Sequence, residues 1–184
     1  MKQDRRVQYT KRMLKESLLS LLKEKPVEKI TVKELCERAD VNRSTFYVHY
    51  GSPQQLLNSI LDEMYADISA KPQDFSSIRQ FMLEICKCLL EYRDLLQIIS
   101  ESGDFLALMF RLVGIWEESF MSIMRQNGLE GEKAALLYRY VSTGATFVIG
   151  TWVLSEENAL RAEEFSAELE QLVLRGLSAY FPNS

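Results

Sequence analysis

Arg43, Ser44, Thr45, Tyr47 and His49 fall within one run of seven residues. They offer a guanidinium, two hydroxyls, a phenol and the only imidazole of the chain. That set suits hydrogen bonding to a nucleic acid better than covalent catalysis. A guanidinium donates two parallel bonds to guanine, and a threonine methyl meets the methyl of thymine. Phenol and imidazole groups suit phosphate oxygens. Arg43, Ser44 and Thr45 stand at the N-terminal end of the run, where base edges would lie. Tyr47 and His49 fall on its flanks, toward phosphates. Lys33 is a further donor upstream. Arg5, Arg6, Lys11 and Arg12 form a basic lead-in suited to the backbone or a minor groove.

Several short elements must hold these groups. Met13, Leu14, Leu18, Leu21 and Leu22 mark one face of a helix from Thr10 to Lys25, stopped by Pro26. Thr31-Val32-Lys33-Glu34 is a capping box: Thr31 accepts from the Glu34 amide while the Glu34 side chain reaches back. It opens a short helix over Val32–Arg38 that buries Val32, Leu35 and Cys36. Ala39-Asp40-Val41 breaks it, and Asn42 caps a third helix from Arg43 to Tyr50. Gly51 ends that helix. Ser52 as cap and Pro53 at the first helical position start a fourth, running to about Ala70. Two short helices joined by a tight turn, the second presenting polar groups, read as a helix-turn-helix. Phe46, Tyr50 and Val41 are its inward residues.

Charge follows the same division. Residues 1–50 hold 12 Lys+Arg against 7 Asp+Glu, a net of +5, and residues 51–184 hold 10 against 19, a net of −9. A basic head on an acidic body points to a head that meets a polyanion. The three cysteines, Cys36, Cys86 and Cys88, match no disulfide or zinc spacing and read as buried thiols. The N-terminus lacks an apolar leader, and the uncharged run Tyr140–Leu154 is too short and polar to span a membrane, so a cytoplasmic chain is expected. No metal or cofactor site and no catalytic set emerges.

The run ITVKELCERADVNRSTFYVHYGSPQQLL resembles the N-terminal DNA-binding domain of the TetR family of bacterial transcriptional regulators. Thr31, Leu35, Ala39, Val41, Thr45, Tyr47, His49, Tyr50 and Leu56-Leu57 carry the resemblance, which covers about residues 8–68 with the motif near 31–50. It implies an all-α homodimer with a C-terminal ligand-binding and dimerisation domain, here residues 72–184. Most members repress transcription until a small molecule releases them. By resemblance, Lys33, Arg43, Ser44 and Thr45 match base-contacting positions, and Tyr47 and His49 match phosphate-contacting ones. Three positions depart from the pattern: Asp40 replaces the usual turn glycine, Lys25-Pro26 replaces the glycine after the first helix, and Pro53 replaces a lysine.

Beyond the boundary Lys71-Pro72-Gln73-Asp74, helical patterns run over Ser76–Tyr92, Asp94–Ser100, Asp104–Asn127, Glu132–Ser155 and Ala162–Phe181, punctuated by Gly103, Gly128, Gly131 and the Ser155–Asn158 region. Their aromatic and Met stripe reads first as core. The resemblance raises a pocket for a small apolar or amphipathic effector, with Met109, Phe110, Trp116, Tyr138 and Phe147 as its candidates. Phe165, Leu169, Leu172 and Gly176 follow the 4-3-4 seam of a helix pair. Gly144, Ala145 and Gly150 admit another helix closely, so two helices per subunit are expected to form an intersubunit bundle. The expected function is a sequence-specific regulator binding double-stranded operator DNA as a homodimer on a palindrome, a repressor relieved by a ligand. The alternative is a coactivator or protein-interaction module whose body meets another protein.

Overall fold

The computed structural model describes residues 2–71, 74–102, 105–155 and 160–176. Within the expected boundary Pro72 and Gln73 lie outside that range, as do Gly103, Asp104, 156–159 and the last helical residues proposed toward Phe181. All regular structure among the described residues is helical: α1 (Lys2–Leu22), α2 (Val32–Ala39), α3 (Arg43–His49), α4 (Pro53–Ala70), α5 (Ile78–Glu91), α6 (Arg93–Ser102), α7 (Phe105–Ile115), α8 (Glu117–Gln126), α9 (Gly131–Leu154) and α10 (Ala162–Gly176), with one 3-10 turn at Val27–Lys29. The all-α expectation holds. The chain divides into two compact units, residues 1–67 with 94–105, and residues 68–93 with 106–184.

In the first unit α2 packs against α1 and α3. Its core is aliphatic with two rings: Leu14, Leu18, Leu21, Leu35, Leu56 and Leu57 are buried around Phe46 and Tyr50. Burying one such side chain contributes about 1.5–3 kcal/mol. α1 starts well before Thr10, so the basic lead-in is helical. It ends at Leu22, where the Glu24 and Lys25 amides fold back onto the Leu21 carbonyl at 3.0 and 3.1 Å.

The second unit is a bundle in which α5 packs on α8, α9 and α10. A chain of rings runs through it: Phe75 on Phe81 (centroids 5.3 Å), Phe81 on Phe120 (6.0 Å) and Phe120 on Tyr138 (5.3 Å). The helix expected to run unbroken from Asp104 to Asn127 is interrupted at Trp116, whose φ of −103° and ψ of 9° leave the helical region. Glu117 and Glu118 follow it in the first turn of α8, where carboxylates favour a helix start. α8 ends in a Schellman motif at Gly128 (φ 77°), with Leu129 N–H donating to the Met124 carbonyl at 2.9 Å.

Candidate nucleic-acid interface

The local rules that shape α2 and α3 are visible bond by bond. Thr31 Oγ1 accepts from the Glu34 amide at 3.2 Å. The return half of the expected capping box is replaced: the Glu34 carboxylate accepts from Lys25 Nζ at 2.7 Å. An ion pair to the turn after α1 wins over a bond to a local amide. A second clamp lies alongside. Arg38 reaches back to both carboxylate oxygens of Glu24, at 2.5 and 3.3 Å, and to Ser20 Oγ at 3.0 Å. The hydrogen bond from Arg38 holds the Glu24 carboxyl below its usual range, and that from Lys25 does the same for Glu34. Both carboxylates therefore hold their clamps above the ordinary carboxylate range and release them only as pH falls through the lowered values.

The turn is a second Schellman motif. Val41 N–H donates to the Cys36 carbonyl at 3.0 Å, and Asp40 takes the left-handed conformation (φ 51°, ψ 44°). Among the described residues Asp40 is the one non-glycine with positive φ. Aspartate tolerates this region better than most residues do. Asn42 caps α3 by position alone: its side chain makes no capping bond. Ser52 caps α4, accepting from the Gln55 amide at 3.1 Å, and Gln55 Oε1 accepts in return from the Gly51 amide.

α3 is held by one face and free on the other. Phe46 is fully buried and Tyr50 nearly so. Phe46 meets Tyr47 edge-on at 5.6 Å and Tyr50 at 6.0 Å. On the outer face Arg43, Ser44, Tyr47 and Val48 are exposed, and Thr45 and His49 are half-buried. Tyr47 leaves 58% of its surface in solvent. Lys33 is exposed on α2, 3.9 Å from Glu37. Val48, not among the residues expected here, is 77% exposed on this polar face and suited to a thymine methyl.

The second unit scatters the proposed pocket residues. Trp116 and Tyr138 line a small cavity with Phe81, Val141, Ser142 and Thr146, and it measures about 20 Å³. That space is about one water. The Tyr138 hydroxyl donates to the Val113 carbonyl, and burial, with Glu117 nearby, pushes its pKa up to about 12. Met109 is buried but does not line this cavity, while Phe110 and Phe147 are exposed. Trp116 also walls a surface depression of about 300 Å³ with Phe75, Lys71, Lys87, Glu84 and Glu91.

Among the proposed interface residues, Leu172, Gly144 and Gly176 are exposed, Phe165 is half-buried, and Leu169 and Gly150 are buried. Phe165 stacks on Trp152, centroids 4.4 Å apart. Tyr140, Gly144, Leu169, Leu172, Val173 and Gly176 line a shallow groove between α9 and α10. Leu136, Tyr140, Phe147 and Val148 extend the apolar exposure along α9; of this set the sequence reading named only Phe147. Cys36, Cys86 and Cys88 are buried and form no disulfide, and burial raises the Cys86 thiol to about 12, far from a reactive thiolate. Among the described residues no group of three or more His, Cys, Asp or Glu side chains is placed to hold a metal ion, and no helix is long and apolar enough to cross a membrane.

Residues 16–60 match the family described as bacterial regulatory proteins, tetR family. The uncharacterized HTH-type transcriptional regulator YxbF of Bacillus subtilis (strain 168) is 25% identical over 167 residues, covering 87% of this chain and 43% of that protein. The chain thus spans less than half the length of that relative. Among solved structures, a TetR transcriptional regulator from Streptococcus agalactiae 2603V has the same fold, with a TM-score of 0.68 at 21% identity over 94% of this chain and 98% of that one. The dihydroxyacetone kinase operon activator DhaS also shares it, with a TM-score of 0.62 at 15% identity over 92% and 97%.

Proposed function

From a chain that carries the DNA-binding domain of the TetR family of transcriptional regulators, we propose a sequence-specific regulator that binds a palindromic operator as a homodimer. The observation that carries this reading is the outer face of α3, where Arg43, Ser44, Tyr47 and Val48 stand exposed on a short helix fixed from behind by Phe46 and Tyr50. Arg43, Ser44 and Thr45, with Lys33, face bases; Tyr47 and His49 hold phosphates. The exposed apolar groove between α9 and α10 supports the second subunit, because an apolar face of that kind is covered by a like face across a two-fold axis. Residues 8–68 form the DNA-binding domain, and residues 72–184 the regulatory and dimerisation domain.

Repression relieved by a small apolar effector remains the first regulatory reading. It requires the body to open around Trp116 and Tyr138, since sites for drug-sized ligands measure roughly 300–1,000 Å³ and the cavity there is about 20 Å³. That nearly filled core favours a second reading, a regulator whose body meets a protein partner. DhaS, which shares the fold, is named an operon activator, so activation stands beside repression under this second reading.

Selection of duplexes from a random library by the full chain tests the DNA reading. An enriched inverted repeat supports it, and a pool that stays random through successive rounds removes it. Trp116 is buried against both the cavity and the surface depression. Effector entry therefore changes its fluorescence, and a ligand that lowers operator affinity is itself bound less tightly by the operator complex, by the same factor. Ligands that change fluorescence and leave operator affinity untouched favour the protein-partner reading.

A further inference from the structure

We propose that the outward face of the first turns of α1 (Arg5, Gln8, Tyr9 and Arg12) is a second DNA-contacting surface, gripping the sugar-phosphate backbone that flanks the bases facing α3. This inference rests on the DNA-binding reading above and extends the footprint of that site. The four residues follow the i, i+3, i+4, i+7 spacing that places side chains on one helix face. All four are exposed, and together they line one open depression of about 480 Å³. The opposite face of the same helix is fixed by Leu14, Leu18 and Leu21, all fully buried, so the basic face cannot turn inward.

The face is built for anions. Tyr9 keeps 57% of its surface in solvent. The Arg12 guanidinium lies over its ring, 5.5 Å from the centroid. Stacking of this kind steadies a guanidinium while leaving its in-plane donors free for phosphate. Arg5, Gln8 and the Tyr9 hydroxyl add donors of the kinds that bind phosphate oxygens. Because α1 is helical from Lys2, these groups are held in place before DNA arrives, and less freedom is lost on binding than a flexible arm would lose.

The position of α1 links this face to the reader. Lys11 lines a neighbouring depression with His49, Tyr50, Gln55 and Asn58, so α1 adjoins the C-terminal end of α3. Arg5 lies roughly 9 Å from Lys11 along the helix axis at 1.5 Å per residue, a span of two to three base-pair rises. The major groove admits one helix, and α3 fills that role in the reading above; a helical α1 is too wide for the minor groove, about 6 Å across, so its side chains meet the backbone. Glu16 stands 3.7 Å from Arg12 and opposes a phosphate there.

The test is binding of the full chain to random-sequence duplexes of about 40 base pairs across a salt series. Each phosphate contact contributes about 0.9 to the slope of log affinity against log salt. The double variant R5A/R12A is expected to lose roughly two from that slope per protomer, evenly over sequences, while R5K/R12K keeps it. E16Q is expected to bind more tightly than wild type. A wild-type slope in R5A/R12A, with wild-type DNA binding intact, overturns the α1 face and leaves the α3 reading standing. The series is repeated on AT-rich and GC-rich duplexes, and a loss in R5A/R12A confined to one of them overturns the backbone assignment. A wild-type chain that binds no duplex removes the regulator reading and this inference together.

Discussion

The outer face of α3 and the groove side of α9 both hold a tyrosine ring in open solvent, and their neighbours differ. On α3, Tyr47 stands beside Arg43, Ser44 and Thr45. On α9, Tyr140 is 72% exposed beside Gly144, with Leu172 of α10, 69% exposed, across the groove. A tyrosine among cations and hydroxyls presents its oxygen to a polar, anionic partner. A tyrosine among methyl groups and glycine presents its ring to another apolar helix. Exposure alone does not distinguish the two; the surrounding side chains do. The same contrast runs along the sequence, since the net charge is +5 over residues 1–50 and −9 over the remainder.

Charging the apolar face gives the largest expected effect. In L172R the new charge sits in solvent in the single chain, so the fold survives, but in a dimer it is buried without a partner. The cost is about 3 kcal/mol or more, at least a hundredfold in the dimer dissociation constant. Sedimentation equilibrium reads it, and a variant that dimerises as wild type does moves the interface away from the α9–α10 groove. On the polar face, R43A is expected to cost about 1–3 kcal/mol of operator affinity through loss of a bidentate base contact. Y47F removes one phosphate bond and is expected to cost about 1 kcal/mol, nearly equally for operator and random duplexes. If Y47F loses affinity for the operator alone, Tyr47 reads sequence and its role changes. The smallest effect is a gain. D40G relieves the left-handed conformation at the turn and is expected to raise stability by about 0.5–1 kcal/mol, seen as a higher melting temperature. A fall would mean that the Asp40 carboxylate contributes more than its backbone costs.

The first face was more legible in the sequence than the second, for physical reasons. Thr31, Asp40, Ser52 and Pro53 act on backbone groups within a few residues, so their types announce helix ends directly. Long-range competition appears where that reading slipped. The Glu34 side chain goes to Lys25. α9 shows the harder case. It carries no charge after Arg139, so no charged stripe marks which side of its longer part faces out. Leu137, Tyr138 and Val141 go inward while Leu136, Tyr140 and Phe147 go outward. The small size of the cavity beside Trp116 was hidden too, because helices far apart in sequence line it.

Selecting duplexes from a random library twice, once with wild type and once with R43A, tests the central claim most directly. The prediction is one inverted repeat in both pools, its half-sites centred about one helical turn or a multiple of it apart. In the R43A pool, sequence preference is lost at one position of each half-site and kept elsewhere. The same motif in both pools, undiminished at every position, would contradict the assignment of α3 as the element that reads DNA.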